Sequence, residues 1–413
     1  MASRGEINKK EIQPVLSKKW DVIPFVSSIE NIGTFPKVKT SDCFEEGTYP
    51  VVDQSEKDIT GYINNEELLY KGDLPIIIFG DHTRNIKYVD FPFAAGADGT
   101  KILHTTSILD SKFFYYYLKS LQIPNLGYSR HYSILKQLDV PVPSLNEQKQ
   151  IAEKLDKLFD QIETIKEASN KIPELLKNFR QQVLTYAVTG KLTERWRIEN
   201  EIENEFVSIE TDKHRDYNYN IPDTWKLLSF SNVVSIESNL VNPNDYKDYP
   251  LIAPDNIESM TGRILSKPTV AEIAPKSSKH YFTKDSLVYS KIRPYLSKIA
   301  YVDFDGLCSA DMYPLKTKLN IFYLYYYMLS SEFLSFATTA GERIVLPKIN
   351  QKSLNIIPVP VPSLKEQEEI VKRVQILFDI LDDVERRYNT LCEKLDKLPQ
   401  ALLCKAFNGE LAL

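Results

Sequence analysis

VPVPSLNEQ (Val140–Gln148) and VPVPSLKEQ (Val359–Gln367) are one phrase written twice in a chain of 413 residues, and each opens a copy of the same longer segment. The first copy closes with TGKL at Leu192, the second with NGEL at Leu411. Gln148 to Gln367, Phe159 to Phe378 and Gly190 to Gly409 are all 219 positions apart, so neither copy carries an insertion relative to the other. A repeat held to one length is held to one geometry, whereas the segment ahead of each copy is free to differ. The organisation is a pseudo-symmetric frame carrying two variable modules.

Each copy begins with a helix start. Ser144 with Glu147, and Ser363 with Glu366, have the Ser-x-x-Glu spacing of a reciprocal capping box, and the preceding Pro-Val-Pro holds the chain extended up to the cap. Beyond it the second copy places Ile370, Val374, Leu377, Leu381, Val384, Tyr388, Leu391, Leu395 and Leu398 at alternating steps of four and three, a heptad seam. The first copy gives Ile151, Leu155, Leu158, Ile162, Ile165, Ser169, Ile172, Leu176 and Phe179, with one polar core position. One such helix reads as an ordinary core helix; two matched copies predict an antiparallel coiled coil. Pro173 predicts a kink or restart in the first helix.

The variable modules match only loosely, yet their landmarks recur in order. Trp20 and Trp225 stand near the starts, Tyr88-Val-Asp-Phe91 recurs as Tyr301-Val-Asp-Phe304, and the aromatic run Phe113–Leu118 recurs as Tyr323–Met328. Between them, short β-branched and aromatic runs such as DLPIIIFGDHT from Asp73 and KDSLVYSKIRP from Lys284 read as strands and turns. The tyrosine-rich runs read as helices packed on a sheet. The fold class is α+β: two globules and two long helical regions, divided as 1–143, 144–197, 198–357 and 358–413. Ile198–Asn220, rich in Glu, Asn and Asp, reads as the linker into the second globule.

Composition is that of a globular protein, with no apolar run approaching the roughly 20 residues needed to span a bilayer. The start lacks the apolar core of an export signal, and the four cysteines show no Cys-x-x-Cys spacing, which fits a reduced cytoplasm and argues against structural zinc. His82, His104, His131, His214 and His280 have no metal-ligand spacing. Catalytic motifs are missing as well. The nearest string to an amino-methyltransferase Asn/Asp-Pro-Pro-Tyr/Phe loop is Asn242-Pro-Asn-Asp245, Gly190-Lys191-Leu192 lacks the rest of a phosphate-binding loop, and Pro254-Asp255 with Glu258 lacks a nuclease lysine, having Met260 instead.

At this point the residues resemble the specificity subunits of type I restriction-modification enzymes. VPVPSLNEQKQIAEKLDKLFDQI with VTGKLTERWR, and VPVPSLKEQEEIVKRVQILFD with AFNGEL, are similar to that family's two conserved regions, and the order of module, helix, module, helix covers the whole chain. The resemblance implies a non-catalytic subunit that binds double-stranded DNA at a bipartite, asymmetric target. It also implies two methyltransferase subunits bringing S-adenosylmethionine, ATP-dependent translocating nuclease subunits bringing ATP and magnesium, and no cofactor in this chain. A net charge of -5, with no segment a basic block, predicts weak DNA binding by the chain alone. It leaves open an acidic coiled-coil scaffold that touches no nucleic acid, or, less favoured by charge, a free-standing repressor.

Loop residues with suitable donors are the DNA-binding candidates. In the first globule they are His82, Arg84, Lys87, Tyr128, Arg130 and His131; in the second, Lys291, Arg293, Tyr295, Lys298, Arg343 and Lys348. Arg and Lys match guanine O6 and N7, and all suit phosphate. Singly, each also reads as a solvated surface charge; as two clusters at corresponding places they point to DNA.

Overall fold

The computed structural model describes residues 8–17, 19–97, 99–127, 130–200, 221–339 and 347–411. They form two compact units, one of Met1–Asn170 with Asn389–Leu413 and the other of Lys171–Tyr388. The units cut across the four sequence segments, because each module is completed by part of both conserved copies. Residues 201–220 of the expected linker lie outside the described residues, and Ile198–Asn200 end a short helix, Glu194–Asn200.

Unit 1 contains β1 (Asp21–Pro24), β2 (Tyr49–Val52), β3 (Gly61–Ile63), β4 (Ile76–Gly80), β5 (Ile86–Val89), β6 (Ala94–Ala95), β7 (Thr100–Leu103) and β8 (Asp139–Val142). Two sheets, ordered β5-β4-β7 and β3-β2-β6, accompany a β1-β8 ribbon. Strand β4 is buried along its whole length, which is why it reads as the unbroken apolar run IIIFG rather than alternating. Ile76 and Ile78 pack with Val52 and Phe93, while Ile77 and Phe79 join the core beneath helix Ser111–Ser120.

Unit 2 contains β9 (Lys226–Ser229), β10 (Val234–Ile236), β11 (Leu240–Val241), β12 (Leu251–Ile252), β13 (Lys279–Phe282), β14 (Ser286–Ser290), β15 (Ile299–Val302), β16 (Gly306–Cys308), β17 (Met312–Thr317) and β18 (Pro358–Val361). Its sheets run β10-β17-β14-β15 and β11-β13-β16-β12, with a β18-β9 ribbon. The parallel pair β2-β6 of unit 1 recurs as β12-β16. Each pair has antiparallel neighbours on both edges, a full strand at β2-β3 and at β16-β13 and a single bridge at Leu69↔Ala94 and at Pro250↔Thr269.

The repeated phrase does more than start a helix. VPVP forms the strand that pairs with the strand after each tryptophan, in the registers Asp21↔Val142 and Lys226↔Val361. The serine hydroxyls accept from the backbone N–H of Glu147 and Glu366, as a cap should. The carboxylates, however, do not form the reciprocal half of a capping box. Glu147 accepts from the Trp20 indole at 3.1 Å and Glu366 from the Trp225 indole at 2.9 Å. Gln148 and Gln367 then accept the backbone N–H of Asp110 and Asn320, the capping residues of the two aromatic helices. Glu-Gln is therefore a junction, tying strand ribbon, aromatic helix and long helix together.

The helices run Leu145–Ser169, Ile172–Val188 and Leu364–Phe407, so Pro173 marks a restart within its helix's first turn. Within unit 1, Lys166 lies 3.6 Å from Asp396, and Leu155 shares a core with Leu403. Within unit 2, Arg180 pairs with Asp382 at 2.6 Å, and the Leu192 carbonyl accepts from Arg373. In both, numbers rise along one helix as they fall along the other, the antiparallel arrangement of the coil. The seam is less continuous than its heptads suggest. Ile370, Val374, Leu381 and Leu395 are buried, but Ile165, Phe179, Val384, Leu391 and Leu398 are exposed. A seam needs an unbroken partner, and the first copy supplies two helices.

Gly190 and Gly409 end the copies at φ of 77° and 78°, a left-handed turn that favours glycine. It returns Leu192 to the unit 2 core and Leu411 to that of unit 1.

Candidate nucleic-acid interface

The central strands of the two units end in the same backbone clamp. In unit 1, Asp81 N–H donates to the Gly99 carbonyl and the Asp81 carbonyl accepts from His131 N–H. In unit 2, Lys291 N–H donates to the Asp311 carbonyl and the Lys291 carbonyl accepts from Ile349 N–H. Phe79 faces Lys101 across β4-β7 as Tyr289 faces Tyr313 across β14-β17. Position 81 thus matches 291, 101 matches 313, and Arg130 matches Lys348.

A tyrosine ring carries lysine at each clamp. In unit 1, Lys101 and Lys136 lie 5.7 and 5.1 Å from the Tyr132 ring centre, and the exposed Arg130 precedes it in the chain. Asp81 Oδ2 stands 3.9 Å from the Lys101 ammonium. In unit 2, Lys291 lies 4.9 Å from the Tyr313 ring centre, and Lys348 pairs with Asp311 at 2.8 Å. Burial, and then Lys348, lower the pKa of Lys291, partly offset by Asp311. Such aromatic-cation groups hold an ammonium in a defined direction. They are local concentrations of positive charge that whole-segment counts conceal.

The candidates separate into outward and inward groups. Arg130, Arg293 and Tyr295 are exposed. Lys291 and Lys348 belong to the unit 2 cluster, and Arg84 donates to the Ile123 carbonyl at 2.9 Å while lining a cleft of about 490 Å³ with Lys87 and Lys119. His82 is half-buried, its backbone N–H bound by Gln54. Lys87, Lys298 and His131 correct the expectation of free loop donors. The Lys87 ammonium is buried, bonded to the Lys57 carbonyl and 4.0 Å from Asp53, and burial lowers its pKa. Lys298 donates to the Pro254 carbonyl at 2.7 Å. Both lysines staple a loop to a hairpin. His131 is fully buried, its Nδ1 beside the Asp81 carbonyl and its Nε2 accepting from Leu126 N–H. Tyr128 and Arg343 lie outside the described residues.

Sequence reading missed Asp81, Lys101, Asp311 and Tyr313, which strand pairing brings to the clamp, and Tyr132 and Lys136, which a short helix places one turn apart beside it. It also passed over His280. That side chain is 4% exposed, and its Nδ1 finds no hydrogen-bond partner among the described residues. Burial and then the Lys291 charge lower its pKa. No cluster of histidine, cysteine and carboxylate suited to a metal, and no helix long and apolar enough to cross a membrane, occurs among the described residues.

Comparison with known proteins agrees with this architecture. The chain is 43% identical over 258 residues to the type I restriction enzyme EcoDI specificity subunit of Escherichia coli, covering 62% of this chain and 58% of that one. It is 28% identical over 267 residues to the EcoBI specificity subunit of the same organism, covering 62% and 54%. The match thus spans little more than half the length of these curated relatives. In fold, the HsdS subunit from Thermoanaerobacter tengcongensis superposes with a TM-score of 0.60 at 15% identity, over 96% of this chain and 98% of that one. The family pattern described as type I restriction modification DNA specificity domain matches residues 19–174 and 222–393, most of the chain, and to that family this protein belongs.

Proposed function

We propose that the chain is the DNA-reading subunit of a type I restriction-modification complex, each unit recognising one half of a bipartite, asymmetric target, with no catalysis of its own. The observation that carries the reading is the repeated clamp: two units built on one backbone frame present cation and tyrosine groups of different arrangement. A shared frame suits a shared ligand, the DNA duplex, and different side chains suit two different half-sites. The long helices join the readers. Two methyltransferase subunits carrying S-adenosylmethionine complete a modification enzyme, and ATP- and magnesium-dependent translocating nuclease subunits complete a restriction enzyme. With a net charge of -5 and no segment a basic block, most of the affinity comes from the assembly rather than from this chain.

Mapping methylated adenines in the source genome, with the chain present and deleted, tests this. A split motif that vanishes on deletion, with a methyltransferase co-purifying with the chain, is the expected result. Unchanged methylation, or methyl transfer by the isolated chain, would overturn the reading.

A further inference from the structure

We propose that Lys101 in unit 1 and Lys291 in unit 2 determine base preference, whereas Arg130 and Lys348 hold phosphate; the assignment rests on the DNA-reading function above. The matched clamp supplies the reasoning. Phosphates are the same at every site, so positions that meet them suit like groups in both units, and Arg130 and Lys348 are both cations at one matched position. Base edges differ between two half-sites, so positions that meet them need different chemistry. At 81/291 an aspartate stands opposite a lysine, and at 101/313 a lysine stands opposite a tyrosine.

Each of the two lysines is also built as a directed donor. The Tyr132 ring and the Asp81 carboxylate flank the Lys101 ammonium, and the Tyr313 ring underlies that of Lys291. A ring fixes the direction of the ammonium and a neighbouring carboxylate offsets its charge, so N–H donation to an acceptor is favoured over diffuse attraction to a backbone. In the major groove the matching acceptors are purine N7 and, for guanine, O6.

Unit 2 adds a second polar group. His280 sits opposite Cys308 across β13-β16, with its Nδ1 buried and lacking a partner among the described residues. Its burial makes it a neighbour of the Lys291 ammonium within the clamp rather than an exposed donor. Unit 1 has an apolar residue at the corresponding place: Leu69 bridges Ala94 as Tyr281 pairs with Leu307, so Leu68 stands where His280 does. The two units accordingly read different bases with one frame.

The test uses the full chain assembled with its methyltransferase partner, with genome methylation mapped for Lys101→Met, Lys291→Met, Arg130→Ala and Lys348→Ala. Each Lys→Met variant keeps the stem over the ring and is expected to reduce discrimination at one base position about tenfold or more. The affected positions fall in opposite halves of the motif. The two Ala variants are expected to leave both half-sites intact, weaken binding to all sequences alike and flatten its salt dependence. An unchanged motif in both Lys→Met variants, or uniform loss at every site, would overturn the assignment while leaving the DNA-reading function standing. Lys101→Arg and Lys291→Arg, which keep the charge, are expected to alter preference at the same positions if a Met variant fails to fold. Absence of any motif dependent on the wild-type chain would overturn the function itself.

Discussion

Glu366 is 1% exposed and accepts from Thr193 Oγ1 at 2.7 Å, Arg197 at 2.6 Å and the Trp225 indole at 2.9 Å. Its counterpart Glu147 is half-buried and holds the Trp20 indole. Removing one partner of a buried ion pair strands the other charge, so Glu366→Ala is expected to destabilise unit 2 by about 3–5 kcal/mol. Glu147→Ala should cost about 1 kcal/mol, the scale of a single hydrogen bond; denaturant melts of the two variants check the difference. His280 gives a pH dependence of definite sign. Its folded pKa lies below the ordinary 6.5, so the unfolded chain binds the proton more readily, and stability present above pH 6.5 falls as pH drops through the folded value. His280→Gln should flatten that acid-side loss in melts across the range. The capping serines were legible because a cap is a local bond. The glutamate partners were not, since Trp20 and Trp225 stand more than a hundred positions away.

Strands and aromatic helices could be read from their runs because burial on both faces, or on one, writes a pattern within five to ten residues. The coil was partly legible: heptad spacing located the helices, but burial along the seam depends on where the partner stops at Ser169. Strand register decided which cations face outward, and the sequence does not print register. Lys87 and Lys298 looked like free loop donors yet are held within their units. Lys87→Met and Lys298→Met should therefore leave the methylated motif unaltered, and a change at either half-site in mapped methylation would restore them to the interface. At the end of the first copy, a Cβ on Gly190 would come within 2.4 Å of Pro222 and occupy a left-handed backbone. Gly190→Ala should destabilise unit 2 by about 1–3 kcal/mol, measured by thermal unfolding.

The whole chain has a net charge of -5 although each clamp gathers cations, because acidic helices and loops dominate the count. Partition into two modules was visible in the repeat; which parts of each copy complete which unit was not, since cores rather than spacing decide it. Phe407 is fully buried, its ring 5.3 Å from Phe113 and 5.5 Å from Tyr117 between centres. Phe407→Ala should cost unit 1 about 3–5 kcal/mol, and hydrogen exchange should show the loss there and not in unit 2. Exchange of residues 1–143 for another family member's first module should change one half of the methylated motif, and a change in both halves would count against modular reading. The same connectivity orders events during synthesis. Asn170 and Asn389, which bound the two pieces of unit 1, are 219 positions apart. At about 5–20 residues per second, the ribosome needs about 10–40 s to make what lies between them. Throughout that interval Phe113 and Tyr117 await their Phe407 partner, while every residue of unit 2 has been made before Asn389. The module translated first is therefore the one finished last, and a nascent-chain chaperone would have its longest opportunity at the surface that Phe407 later covers.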